Sequence, residues 1–175
     1  QPFTTVLEAA RIMKHNKIGN VIISEINHPI GILTESDIIK KVVCEAKNAQ
    51  DVLVEEVMSS PIIIAEPYIS LNEALKIMGK CNIRRLPIVE NNELVGIITQ
   101  RDISQLSPAL TEISHEWSSI DIKDEEYLQS QTFSGKCEDC NILSTSLKSI
   151  DGRLLCDLKT KNGTVREMED GAAGG

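Results

Sequence analysis

The chain has 175 residues, 41% hydrophobic and 25% charged, with a formal net charge of −8 and an isoelectric point near 4.9. This is the composition of one or two small globular domains, and it argues against a broad nucleic-acid surface, which needs clustered Lys and Arg. No apolar run approaches the roughly 20 residues that cross a bilayer, and no signal peptide is visible. Five unevenly spaced cysteines are too few for a disulfide scaffold, so a reducing, cytoplasmic setting is the expectation. With aromatics at only 3%, the core must be built from Ile, Leu, Val, Met and Ala.

In chain order, residues 4–14 read as a helix. Val6, Leu7, Ala9, Ala10 and Met13 recur at helical spacing, and Thr4 or Thr5 is placed to cap the start. Residues 18–24 are rich in β-branched side chains and read as a strand. Asn27-His28-Pro29 reads as a turn, and residues 30–33 as the return strand. Residues 36–46 read as a helix with Ile38, Ile39, Val42 and Val43 on one face. Val52, Val54, Val57 and Met58 fit a short connecting helix, and residues 61–65 a strand ended by Glu66-Pro67. The order then recurs: helix 70–80, strand 84–89, turn at Asn91-Asn92, strand 94–98, helix 101–107. Pro108 interrupts, after which Leu110, Ile113 and Trp117 resume a helical pattern. Residues 118–132 are polar and acidic and read as a linker or solvated helix. The low-complexity end, residues 166–175, is expected to be disordered.

The recurrence is a duplication. Gly31-Ile32-Leu33-Thr34-Glu35-Ser36-Asp37 returns as Gly96-Ile97-Ile98-Thr99-Gln100-Arg101-Asp102, an offset of 65. At that offset residues 4–39 align with 69–104 without a gap, and 13 of the 36 pairs are identical. A match of that length marks two copies of one folding unit. The strand at 61–65 maps to positions before Gln1, so the first copy is expected to lack its opening strand here.

Thr34-x-x-Asp37 and Thr99-x-x-Asp102 admit two readings. One is a helix cap, in which Thr accepts from the third backbone N–H and an acid sits at the positive helix end. The usual capping box prefers Glu or Gln at that third position, so Asp is expected to fit it less well. The other reading is ligand contact: N–H groups at a helix start favour phosphate, and a carboxylate accepts from ribose hydroxyls. The copies are not equally equipped. Arg84, Arg85 and Arg101 in the second copy stand where the first has Gly19, Asn20 and Ser36, and an Arg fork suits phosphate. The bland alternative for these arginines is ion pairing with Glu90, Glu93 or Glu112.

The duplicated unit, its Gly-hydrophobic-hydrophobic-Thr-x-x-Asp turn, Arg85-Leu86-Pro87-Ile88-Val89 and the lead-in Val57-Met58-Ser59-Ser60-Pro61 together resemble a pair of CBS domains, or Bateman module, over residues 1 to about 108. The resemblance implies an α+β fold of small sheets with helices, paired about a pseudo-twofold axis. It also implies homodimers and a sensor that binds adenine nucleotides between the copies. By the same resemblance Arg84, Thr99 and Asp102 would contact ligand, with Arg85, Arg101, Thr34 and Asp37 as further candidates.

Cys137-Glu138-Asp139-Cys140, followed after 15 residues by Cys156, gives three-quarters of a two-knuckle zinc pattern. Asp151-Gly152 between them reads as a hairpin turn. The segment resembles a zinc ribbon, whose site is four thiolates. The fourth cysteine should fall at Lys159, so zinc would need Asp157, Asp139, water or a partner chain. A degenerate ribbon without metal is the other reading. Cys44 and Cys81 read as packed thiols. His15, His28 and His115 match no ligand spacing.

The expected organisation is a first repeat over residues 1–50, a second over 51–108, a helix and acidic linker over 109–132, a ribbon-like segment over 133–165 and a tail over 166–175. No catalytic constellation is visible, so the expectation is a regulatory protein rather than an enzyme, sensing AMP, ADP, ATP or a related ligand and acting on a protein partner. The alternative is a dimeric scaffold with a docking ribbon and no small ligand.

Overall fold

The structure, a computed structural model, describes residues 1–106, 127 and 129–159. The expected helical stretch at 110–117, the acidic residues up to 126 and the tail at 166–175 lie outside them. The chain forms two compact units, one of residues 1–62 and one beginning at Ile63.

In the first unit, helix α1 (Val6–Asn16) starts where Thr5 accepts from the Glu8 amide and the Glu8 carboxylate accepts from the Thr5 amide, both at 3.3 Å. This reciprocal box satisfies two otherwise orphaned donors. Strands β1 (Asn20–Glu25) and β2 (His28–Thr34) form an antiparallel hairpin. The turn falls at Ile26-Asn27, both at positive φ, one step earlier than expected, and His28 and Pro29 belong to β2. The next helix opens as α2 (Glu35–Ile38) and widens into a π turn over Ile39–Val43. That widening breaks the expected apolar face. Val42 is buried, but Ile39 and Val43 are exposed.

Segment 52–60 wraps this repeat. Its short helix α3 (Val54–Val57) is tied to the chain start by the Val54 amide donating to the Thr4 carbonyl at 2.9 Å. Further on, the Ser59 and Ile32 amides exchange hydrogen bonds of 2.8 and 3.0 Å across the edge of β2. Val6, Leu33, Val54 and Val57, all 2% exposed or less, fill the core beneath. Each such side chain contributes about 1.5–3 kcal/mol through burial.

The second unit repeats the plan. After β3 (Ile62–Ile64) come α4 (Leu71–Lys80), β4 (Arg85–Glu90), β5 (Glu93–Thr99) and α5 (Gln100–Leu106). Ser70 caps α4 by accepting from the Glu73 amide, at the positions matching Thr5 and Glu8. Asn91 and Asn92 turn the hairpin at positive φ, as a tight right-twisted connection requires. Both hairpins carry a bulge at the same place, between Ile23 and Ser24 and between Ile88 and Val89. Ala74, Leu75, Ile77, Met78, Leu86 and Ile103 form the core. Ala65 joins β4 through a parallel bridge to Ile88.

The cysteine-bearing segment adds β6 (Thr132–Lys136), β7 (Leu143–Ile150) and β8 (Arg153–Leu155), which pair antiparallel in sequence. The Asp151-Gly152 turn lies at positive φ, as its residues suggested. One relationship was not foreseen: β6 pairs with β3, so the strand that opens the second repeat and the ribbon share a sheet of order β3-β6-β7-β8. Thr145 also donates to the Asn92 side chain. Tyr127 packs on the repeat core beneath the Lys80 ammonium, 4.3 Å from its ring centre, and donates to Glu73 at 3.2 Å.

Candidate functional site

The register of β4 on β5 sets Arg85 opposite Thr99. One residue away, the Gln100 amide donates to the Arg84 carbonyl at 3.1 Å. Arg84, Arg85, Thr99 and Asp102 are therefore brought to one end of the hairpin, at the start of α5, and Arg101 follows on the helix. Arg84, Arg101 and Asp102 are exposed; Arg85 and Thr99 are half-buried. Among the described residues these arginines make no ion pair, so the alternative partners Glu90 and Glu93 are not engaged with them; Glu112 lies outside.

Asp completes the capping box after all. The Asp102 carboxylate accepts from the Thr99 amide at 2.9 Å and from the Thr99 hydroxyl at 2.6 Å, while its own amide donates to that hydroxyl oxygen at 3.2 Å. The first copy matches at 3.0, 2.6 and 3.2 Å. The expectation that Asp is too short fails because the Thr hydroxyl proton adds a second, charge-assisted bond to the same oxygen. Capping is thus real in both copies, and it uses only one carboxylate oxygen.

The copies differ in what holds the other oxygen. In the first, Oδ1 of Asp37 lies 3.1 Å from the Lys41 ammonium and 3.5 Å from the Ser59 hydroxyl. Lys41 is fixed in turn by the Val57 carbonyl at 2.6 Å. Burial pushes the Asp37 carboxyl up, but the bonds from Thr34 and Lys41 outweigh it and hold it below the usual range. At the matching position the second copy has Leu106, so no cation arrives from there. The signal for this was present in the sequence as an i, i+4 Asp–Lys pair, and the reading missed it.

The first unit also holds a cavity of about 590 Å³ lined by Ala10, Met13, Lys14, Lys17, Ile18, Gly19, Glu35 and Ile38. Its lining includes neither Thr34 nor Asp37. Gly19, the counterpart of Arg84, faces the Glu35 carboxylate.

In the ribbon the three cysteines converge, with sulfurs within 4.8 Å of one another. Cys137 and Cys156 are buried and Cys140 half-buried. Burial opposes ionisation of Cys137, but the backbone N–H groups of Cys140, Asp139 and Cys156 outweigh it and bring its thiol down to about 6. The cluster is compatible with a small zinc-binding region. Of the other cysteines, burial pushes Cys81 up to about 11, and Cys44 is exposed rather than packed. His28 bonds its neighbour's carbonyl at Ile26, a local structural contact.

A duplicated helix–hairpin–helix unit, with a Thr-x-x-Asp cap at each strand-to-helix turn, defines a class of paired small α+β modules. The chain belongs to the CBS-domain family: the family model for the CBS domain matches residues 1–44 and 54–108. An uncharacterized protein of Methanopyrus kandleri is 39% identical over 176 residues, covering 97% of this chain and 88% of its own. The CBS domain-containing protein YhcV of Bacillus subtilis is 38% identical over 66% of this chain and 86% of its own. Among solved structures, a CBS domain protein from Pyrobaculum aerophilum complexed with AMP superposes with a TM-score of 0.57. It is 24% identical, over 65% of this chain and 88% of that one. Proteins of the family are generally regulatory rather than catalytic. Among the described residues no helix is long and apolar enough to cross a membrane.

Proposed function

We propose that the second repeat binds an adenine nucleotide such as AMP, ADP or ATP, and that the chain is a regulatory sensor that passes the bound state to a protein partner. The observation that carries this reading is the Asp102 site. Its carboxylate is aligned by Thr99 and lacks the Lys that neutralises Asp37, and the backbone bond from Gln100 to Arg84 brings the Arg84-Arg85 end of β4 to the start of the same helix. A carboxylate with a spare oxygen suits ribose hydroxyls, and Arg suits the phosphate. The Pyrobaculum aerophilum protein holds AMP on this fold, but that likeness carries the fold alone, so the nucleotide assignment rests on the residues named here.

The first repeat is the weaker site on the same grounds: Gly19 and Asn20 replace the arginines, and Lys41 occupies Asp37. Transmission is assigned to segment 62–65, in which Ala65 bridges to the site strand at Ile88 and β3 pairs with β6 of the ribbon. A ligand shifts such an element only by binding its two states unequally. The chain is also read as self-associating, in keeping with the exposed apolar side chains of Val95 and Ile97.

Thermal melting against AMP, ADP, ATP and adenosine tests the reading. A phosphorylated adenosine is expected to raise the melting temperature in wild type and not in Asp102→Ala. A panel without any shift, or one that persists in Asp102→Ala, contradicts it.

A further inference from the structure

The ribbon departs from a four-cysteine site in a way that is structured rather than vestigial. Cys140 and Cys156 sulfurs lie 3.7 Å apart. Tetrahedral zinc with bonds near 2.3 Å requires ligand sulfurs about 3.8 Å apart. Both knuckles are formed: the Asn141 amide donates to the Cys137 carbonyl, and the Lys159 amide donates to the Cys156 carbonyl, each at 2.9 Å. Lys159 therefore occupies the backbone place of a fourth ligand. Its ammonium does not face the sulfurs unpaired; it lies 2.7 Å from Oδ2 of Asp139, whose other oxygen is 3.6 Å from Arg153. That pair joins one knuckle to the other, and it withdraws Asp139 as a ligand. No fourth His, Cys, Asp or Glu joins the cluster among the described residues.

We propose that Cys137, Cys140 and Cys156 form a three-thiolate site for a zinc ion, and that the Lys159–Asp139 pair keeps the knuckles together while leaving the fourth coordination position to a small donor from solution. Three protein ligands with the fourth position open to water or another small donor is the coordination of catalytic zinc sites, in contrast to closed structural ones. Three thiolates beside a lysine would receive a small donor such as water, a thiol or an imidazole.

Full-length reduced protein is titrated with Co²⁺ as a spectroscopic stand-in, then with Zn²⁺. Wild type is expected to take one ion per chain with sulfur-to-metal charge transfer, and to lose that band in Cys140→Ser. Added β-mercaptoethanol or imidazole should change its ligand-field bands. Lys159→Cys should bind at least tenfold more tightly and ignore both additives. Absence of binding in wild type overturns the proposal and makes the ion pair a substitute for metal. Wild-type bands that ignore both additives also overturn it, because the fourth ligand then comes from this chain or a second copy. Should Lys159→Cys fail to fold by circular dichroism, the wild-type additive response alone decides.

Discussion

Gly31 and Gly96 hold the same place in the two repeats, but only Gly31 is enclosed. A methyl group at Gly31 would stand 2.7 Å from the Met58 sulfur and 3.0 Å from the Ser59 carbonyl oxygen, whereas one at Gly96 meets nothing within 4 Å among the described residues. The difference comes from segment 52–60 crossing the edge of β2. Met58 and Ser59 map to 123 and 124, outside the described residues.

Gly31→Ala should therefore cost about 1–3 kcal/mol, the usual penalty of overpacking, because the Ser59 backbone must shift as well as the flexible Met58 tip. Gly96→Ala should stay within about 0.5 kcal/mol. Urea unfolding of the two variants checks this, and equal losses would count against the asymmetry.

Asp37 gives a pH-dependent prediction. Its carboxyl lies below the usual range in the folded protein, so its contribution is complete above the unfolded-state value and drains away as pH falls through the folded one. Asp37→Asn should cost about 1 kcal/mol at neutral pH, the worth of a cap. The gap from wild type should close in acid. A gap that is constant with pH removes the ion pair with Lys41 from the account.

Cys44 and Cys81 should separate on alkylation. Cys44 is exposed, while Cys81 is packed on the repeat core and its thiol is raised to about 11 by burial. Since the thiolate is the nucleophile, iodoacetamide at mildly alkaline pH should label Cys44 well before Cys81, as read by peptide mass spectrometry.

Much of this fold was legible because it is written twice. The cap at Thr5, the Asn91-Asn92 turn and the two Thr-x-x-Asp helix starts are local chemistry, and the offset of 65 sets the two copies side by side. The misses are places where the twins differ or where context outside the segment decides. Ile26 takes a left-handed turn position that its side chain disfavours, because the hairpin register requires it. Ile39 and Val43 lose their buried face to a π turn that periodicity does not announce. The pairing of β3 with β6 joins segments about 70 residues apart, and no local pattern encodes such a contact. At the site, the arginines and carboxylates were readable as types, and the role of Lys41 was readable from its spacing. That Asp suffices for the capping box needed coordinates.

The most direct measurement is isothermal titration of AMP, ADP and ATP into wild type, an Arg84→Ala/Arg85→Ala double variant and a Thr34→Ala/Asp37→Ala double variant. Saturable binding of at least one nucleotide is expected in wild type. It should weaken tenfold or more, at least about 1.4 kcal/mol, in the arginine variant, and change little in the first-repeat variant. No heat with any of the three nucleotides, or equal affinity in the arginine variant, contradicts a nucleotide sensor centred on the second repeat.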